Sequence, residues 1–332
     1  METSVLDIAN LIRGFELSCQ TEGKSPKTIE WYTCFLKRFL QFLNSRFYPV
    51  NINEIDKHHI REFVRYLQLE AKTPHQCKPL SQATVQGYVR TLKSFFSWAT
   101  REEYLVTNPM TKIPIPKATT KVTNTFSHEQ IARLIAVYQG SNGSGCRNLT
   151  ILLLLLDSGI RVSELVGIDL GDIGLTEGTI KIRRAKGNKE RLVPIGSLVQ
   201  RTLWKYINQY RPRPLTDRVT RLFLSEEGLP LTRSGIQQML RRSGKQAGIT
   251  GVRCSPHTFR HTFAKNYLLN GGDIFSLQKI LGHSSLASVR LYLNLFSGDV
   301  KKQHQRFSPV DNMVESRSLY PLVRSTNHST NK

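Results

Sequence analysis

The sequence predicts a mainly α-helical protein of two domains, the second carrying a small antiparallel β-sheet. Three observations carry that prediction. Apolar residues recur at helical spacing over most of the chain, a Pro- and Lys-bearing stretch without periodicity interrupts them near residue 110, and one alternating segment with a Gly-Asn turn follows in the second half. A chain of 332 residues also exceeds what one hydrophobic core usually serves, roughly 100–200 residues.

In order along the chain, Ser25-Pro26 reads as an N-cap followed by proline at the first helical position. Ile29, Tyr32, Leu36, Phe39, Leu40 and Leu43 then recur at helical spacing. Ile60 to Leu69 predicts a shorter helix. Another starts near Ser81, with Val85, Val89, Leu92, Phe96 and Ala99 on one face, and Asn108-Pro109 stops it. Residues 1–110 thus form a small helical bundle. The stretch Thr107 to Thr125, with Pro109, Pro114, Pro116, Lys112, Lys117 and Lys121, supplies an extended basic linker over 111–125.

The second domain, 126–296, starts with a helix capped by Ser127 and carrying Ile131, Leu134 and Ile135. Leu149 to Leu156 is the most apolar run and predicts a buried helix, far short of the roughly 20 residues a membrane span needs. The Gly140 to Gly145 loop lacks the GK[ST] ending of a phosphate-binding loop, so no nucleotide is expected there. Thr179 to Arg184 alternates Ile180 and Ile182 with Lys181 and Arg183. Arg191 to Ile195 is its partner strand across the Lys186-Gly187-Asn188-Lys189 turn. Helical patterns resume at Ser197–Tyr210, Thr232–Ala247 and Pro256–Asn270, and residues 297–332 are a polar arm or tail.

Forty-seven Lys and Arg against 25 Asp and Glu give a formal charge of +22, spread along the whole chain. That balance points to a polyanionic partner, nucleic acid first. The five cysteines, Cys19, Cys34, Cys77, Cys146 and Cys254, are odd in number, widely spaced and without a C-x-x-C pair, which argues against a disulfide framework or zinc site. Glu2 and Asp7 with no apolar run at the N-terminus do not make a signal peptide, and a cytoplasmic protein is expected.

Several segments hold residues able to do chemistry. In GIRVSELVG, Arg161 follows the apolar helix directly and fits a helix end, where its guanidinium can escape the core; Glu164 lies on the same helical face. In SPHTFRHTFA, Ser255 and Pro256 open a helix that places His257 and Arg260 at i and i+3. His261 makes an H-x-x-x-H with His257, but no Glu follows the first His and no third ligand is near, so no metal is expected. LGHSSLASVRLYLN puts His283 after a glycine at a helix end and Tyr292 nine residues later.

The ordered set GIRVSELVG, AKGNKERLVP, LFLSEEGLPLT, SPHTFRHTFA and LGHSSLASVRLY resembles the tyrosine recombinase, or phage integrase, family, including its Xer-like and transposon-borne members. The blocks run in the family's order from Thr150 to Tyr292, and the helical N-terminal region resembles the family's core-binding domain. The resemblance implies a two-domain DNA clamp of core-binding and catalytic domains. It implies a catalytic set of Arg161, Lys186, His257, Arg260, His283 and Tyr292, with Glu164 supporting them. Its implied partners are double-stranded DNA and three further copies of the chain in a synaptic tetramer, with accessory DNA-bending proteins fitting the same picture. No metal or other cofactor is implied.

That residue set suits phosphodiester cleavage. Negative charge builds on the phosphate oxygens during attack, and two arginines grip them while staying charged at any working pH. Tyr292, a phenol with an ordinary pKa of about 10, needs a base, which the resemblance makes His257. Lys186 would protonate the leaving 5′-hydroxyl, and His283 would donate a further hydrogen bond. Lys181, Arg183, Arg184, Lys189 and Arg191 suggest phosphate contacts, or a solvated strand face.

Around Tyr292 this chain has Ser288-Val289 and Leu293-Asn294, where the family often has Thr-Thr and Thr-His. With the inserted Lys72 to Pro79 stretch and the C-terminal extension, this favours integration or excision of a mobile element over Xer-type dimer resolution. A type IB topoisomerase-like enzyme and a non-catalytic DNA-binding regulator are the rival readings.

Overall fold

The protein is described by a computed structural model covering residues 6–73, 77–116, 124–183 and 190–282, together with His304, Ser308 and Val310. Its chain forms two compact units, 1–121 and 122–332.

The first unit packs four helices: α1 (Ile8–Thr21), α2 (Pro26–Ser45), α3 (Lys57–Leu69) and α4 (Gln82–Arg101). Each start is fixed by a side chain that satisfies an otherwise unpaired backbone N–H. Asp7 accepts from Ala9, Ser25 and Ser81 each accept from the residue three positions on, and Asp56 accepts from His58 and His59. The apolar faces meet in an aromatic core of Phe15, Phe39, Phe42, Phe63, Phe95, Phe96 and Trp98. Phe15 meets Phe95 edge-on with ring centroids 5.6 Å apart, an arrangement the ring quadrupoles favour. Helix α1 is absent from the sequence reading, although Ile8, Leu11, Ile12, Phe15 and Cys19 form its buried stripe.

The basic stretch after α4 is not wholly extended. Met110 and Ile113 are buried in the first unit's core, and Gln86 Nε2 donates to the Pro116 carbonyl at 3.0 Å. Burying two apolar side chains there is worth about 1.5–3 kcal/mol each, enough to hold the start of the stretch against the bundle.

In the second unit, α5 (His128–Ala136) precedes the apolar α6 (Ser144–Ser158), whose residues Ile151 to Leu155 are all buried. A helix apolar on every side belongs inside. The short α7 (Val162–Leu165) follows, then strands β1 (Ile173–Gly174), β2 (Thr179–Ile182) and β3 (Arg191–Pro194). The sheet is antiparallel in the order β1-β2-β3, with Ile180 opposite Val193 and Ile182 opposite Arg191. Strand β1 is an addition to the hairpin read from sequence. Helix α8 (Ser197–Lys205) runs into a π turn, Tyr206–Tyr210, where the predicted helix was uninterrupted. Helices α9 (Arg233–Gln246), α10 (Pro256–Leu269) and α11 (Ile274–Leu281) complete the unit, with α6 packed against α8 and α10. The mainly helical fold with one small antiparallel sheet is therefore the one the sequence predicts.

Among the described residues, no helix is long and apolar enough to cross a membrane. All five cysteines are free thiols.

Candidate active site

Arg161 owes its position to a chain reversal at the end of α6. That helix closes on Gly159 in the left-handed region, φ 59°. A Cβ there would stand 2.3 Å from a ring carbon of Phe263 and 2.9 Å from Leu281 Cδ2. Glycine alone permits both the backbone angle and the approach of α10 and α11. Arg161 follows as the extended residue before α7, and its side chain is 29% exposed.

Glu164 sits beneath it with 2% of its side chain exposed and accepts four hydrogen bonds. The Arg161 backbone N–H donates to Oε2 at 2.9 Å and Arg161 Nη1 to Oε1 at 2.8 Å. Arg191, at the start of β3, adds Nη1 to Oε1 at 3.0 Å and Nη2 to Oε2 at 2.9 Å. Burial alone would push the carboxyl up, but the Arg191 and Arg161 donors outweigh it and hold Glu164 below its usual range. The carboxylate is charged and saturated.

Helix α10 starts as read from sequence: Ser255 accepts from the Thr258 N–H and Pro256 occupies the first helical position. His257 is exposed in that first turn. One turn on, Arg260 is only 6% exposed and points inward, donating from Nη1 to the Gly159 carbonyl at 2.7 Å and from Nη2 to the Leu281 carbonyl at 2.8 Å. Half-buried His261 has its pKa lowered by burial first, then by the neighbouring charges of His257 and Arg260.

The C-terminal end of α11 joins these groups. Gly282 closes it in the left-handed region at φ 63°. The carbonyls of the last turn of a helix have no partner within it and carry the negative end of the helix dipole, so they attract cations. Three consecutive carbonyls here each receive a different arginine: Ile280 from Arg191 Nε at 2.8 Å, Leu281 from Arg260 Nη2 at 2.8 Å, and Gly282 from Arg161 Nη2 at 3.5 Å. Side chains from three separate segments thus converge on one backbone stretch immediately before His283.

The structure therefore brings together Arg161, Glu164 and Arg260 and leaves His257 at the surface. Lys186, His283 and Tyr292 lie outside the described residues, as do Arg184 and Lys189.

The cations of the hairpin need correcting. Arg191 is not part of a solvated face: its side chain is 11% exposed, and its donors are turned to Glu164 and Ile280. Lys181 pairs with Glu190 at 2.7 Å, and Arg183 with the buried carboxylate of Asp172; both cations remain partly exposed. Sequence reasoning also missed Arg221 and Arg233, which line one cleft with Arg161, Lys181 and Arg183. Basic residues so far apart give no sign in the sequence of sharing a surface.

Two family models match the chain: the phage integrase family over residues 124–298 and the phage integrase SAM-like domain over residues 10–115. The tyrosine recombinase XerD of Staphylococcus haemolyticus is 33% identical over 289 residues, covering 87% of this chain and 94% of that protein. The XerD of Staphylococcus saprophyticus is 34% identical over the same shares of both chains. Two solved structures share the fold. An integrase of transposon Tn1549, in complex with transposon right end DNA, is 19% identical with a TM-score of 0.71, covering 91% of this chain and 99% of that one. The XerH site-specific recombinase, bound to a palindromic difH substrate, is 21% identical with a TM-score of 0.69, covering 92% and 85%. A match over both halves of the sequence, with relatives a third identical along nearly their whole length, makes this chain a member of the phage integrase family: a tyrosine recombinase, an enzyme that cuts and rejoins DNA.

Proposed function

We propose that the chain recombines double-stranded DNA at specific sites through Tyr292, with Arg161 and Arg260 holding the reacting phosphate, in the service of a mobile element. One observation supports this reading above others: the two guanidinium groups are anchored on adjacent carbonyls, Leu281 and Gly282. Prepositioned cations need no reorganisation as charge develops on a five-coordinate phosphorus.

In the proposed reaction the Tyr292 hydroxyl oxygen attacks phosphorus, and the bond from phosphorus to the 5′-oxygen breaks. His257 takes the phenol proton, Lys186 gives a proton to the leaving 5′-oxygen, and His283 donates to a phosphate oxygen. The product is a 3′-phosphotyrosine and a free 5′-hydroxyl. Because the phosphotyrosyl ester replaces one phosphoester with another, a 5′-hydroxyl from a second strand reverses the step without ATP. Glu164 keeps Arg161 oriented and charge-balanced. Two basic domains gripping one duplex would supply binding, and four copies would synapse two sites and exchange strands through a Holliday junction. The cytoplasm is the compartment this work requires.

The mobile-element role rests on the residues flanking Tyr292, the Lys72 to Pro79 insertion and the extension beyond residue 296. The identity with XerD proteins favours a second reading, dimer resolution. Incubating the protein with two plasmid copies of the DNA flanking its gene tests the proposal. Reciprocal exchange and trapped four-way junctions are the expected products, whereas supercoil relaxation alone would contradict recombination. Exchange at a chromosomal terminus sequence but not at the flanking DNA would select dimer resolution.

A further inference from the structure

We propose that Arg191 is a positioning residue for DNA cleavage, locking Glu164 and the end of α11 into the one arrangement that presents Arg161 and Arg260 together. The proposal rests on the reading of those two arginines as phosphate ligands.

Three observations carry it. First, Arg191 uses all three nitrogens of its guanidinium: both Nη atoms on Glu164, at 3.0 and 2.9 Å, and Nε on the Ile280 carbonyl at 2.8 Å. A planar fork reaches two carboxylate oxygens and a carbonyl at once; a lysine ammonium does not. Second, the site is shaped around that plane. A Cβ built on Gly282 would lie 3.0 Å from the Arg191 guanidinium carbon, so the volume a side chain would take at 282 is held by the guanidinium. Third, the Arg191 side chain is 11% exposed and lies between β3, Glu164 and the end of α11, where its donors hold protein groups to one another.

Its partners explain what it would do. Glu164 holds the Arg161 guanidinium, and the carbonyls at 280–282 take Arg191, Arg260 and Arg161 in turn. Arg191 also opens β3, five positions after Lys186 in the sequence. One buried cation therefore ties the strand leading from Lys186, the carboxylate under Arg161 and the helix end before His283. Without it, the buried Glu164 loses the donors that do most to keep it ionised and tends toward its neutral form, which can no longer balance and orient Arg161.

The test measures single-turnover formation of the covalent adduct on the nicked duplex that the wild-type protein cleaves, between pH 6 and 9, with DNA affinity measured in parallel. Arg191→Met should bind that duplex within threefold of wild type and cleave it tenfold or more slowly at pH 7. The ratio of variant to wild-type rate should rise with pH as Glu164 ionises. Arg191→Lys should recover part of the rate, and Arg191→Met with Glu164→Gln should lose the extra pH dependence. Cleavage by Arg191→Met within twofold of wild type at every pH overturns the proposal. So does a loss equal at all pH values and not recovered by lysine, or weakened DNA binding with an unchanged rate at saturation. If Arg191→Met does not fold, the double variant, which leaves no buried carboxylate unpaired, decides: slowed cleavage with normal binding supports the proposal, and a wild-type rate overturns it. Tyr292→Phe run alongside separates the two levels. An adduct that survives it undoes the catalytic reading, whereas its loss together with a neutral Arg191→Met undoes only the role of Arg191.

Discussion

The Arg191 guanidinium meets the Glu164 carboxylate in a parallel two-bond pair, Nη1 to Oε1 at 3.0 Å and Nη2 to Oε2 at 2.9 Å, across 27 residues of sequence. Both side chains are almost wholly buried. Removing one member of such a pair leaves the other charged and out of water, which costs about 3–5 kcal/mol. Glu164→Gln should therefore lower unfolding free energy by roughly that amount in urea titrations. A loss under about 1 kcal/mol would mean that solvent reaches the pair as it does at the surface.

The same carboxylate sets an acid limb. Its pKa is lowered in the folded protein, so the unfolded chain takes up the proton first as pH falls. The stability it contributes is complete above the unfolded value, about 4.5, and disappears as pH drops through the lower folded value. Urea midpoints between pH 6 and 3 should fall less steeply for Glu164→Gln than for the wild type.

His261 acts in the same direction at higher pH. Burial, then the charges of His257 and Arg260, lower its pKa from 6.5, so the folded state prefers the neutral ring. Stability should decline as pH falls below 6.5, with the decline ending at the lower folded value. His261→Gln should flatten that window, and unchanged midpoints from pH 8 to 5 in both proteins would show that His261 does not contribute.

Gly159→Ala combines a left-handed backbone with a Cβ 2.3 Å from the Phe263 ring. The angle costs about 1–2 kcal/mol and the overlap about 1–3 kcal/mol more. Gly171→Ala, at a glycine with no atom within 4 Å of the added methyl and no positive φ, is the control and should change stability by under about 0.5 kcal/mol. Thermal unfolding of the two variants checks the contrast.

Arg161→Ala and Arg260→Ala should each slow cleavage by about 10²-fold or more, as loss of a transition-state donor does, while DNA binding persists. They should differ in stability. Arg260 is buried on two carbonyls, Gly159 and Leu281, so its truncation leaves both unpaired at about 1–3 kcal/mol each. Arg161 is more exposed and should cost less. Cleavage by the wild type should persist in excess EDTA, since the proposed charge stabilisation comes from side chains.

Much of the fold was legible because its signals are local. Ser25-Pro26, Ser81, Ser127 and Ser255-Pro256 each cap a helix start through a bond spanning three residues. Alternation at Ile180 and Ile182 marked β2. Helix α1 went unread although its Asp7 cap and apolar stripe are as local as the others. Strand β1 has two residues, too few to show a period. The linker was read from its prolines, yet Met110 and Ile113 obey the pull of a neighbouring core rather than local composition. Within the site, the residue types of Arg161, Glu164 and Arg260 stood out by motif. Arg191 did not: it looked like one more hairpin cation because its partners, Glu164 and Ile280, are remote in sequence.

Cutting of DNA by the Tyr292 hydroxyl is read out by trapping the protein–DNA adduct on a nicked duplex. Peptide mapping of the trapped adduct by mass spectrometry should place the nucleotide on Tyr292, and Tyr292→Phe should form no adduct while still binding the duplex. An adduct of undiminished yield in Tyr292→Phe, or one mapped to another residue, would contradict the account.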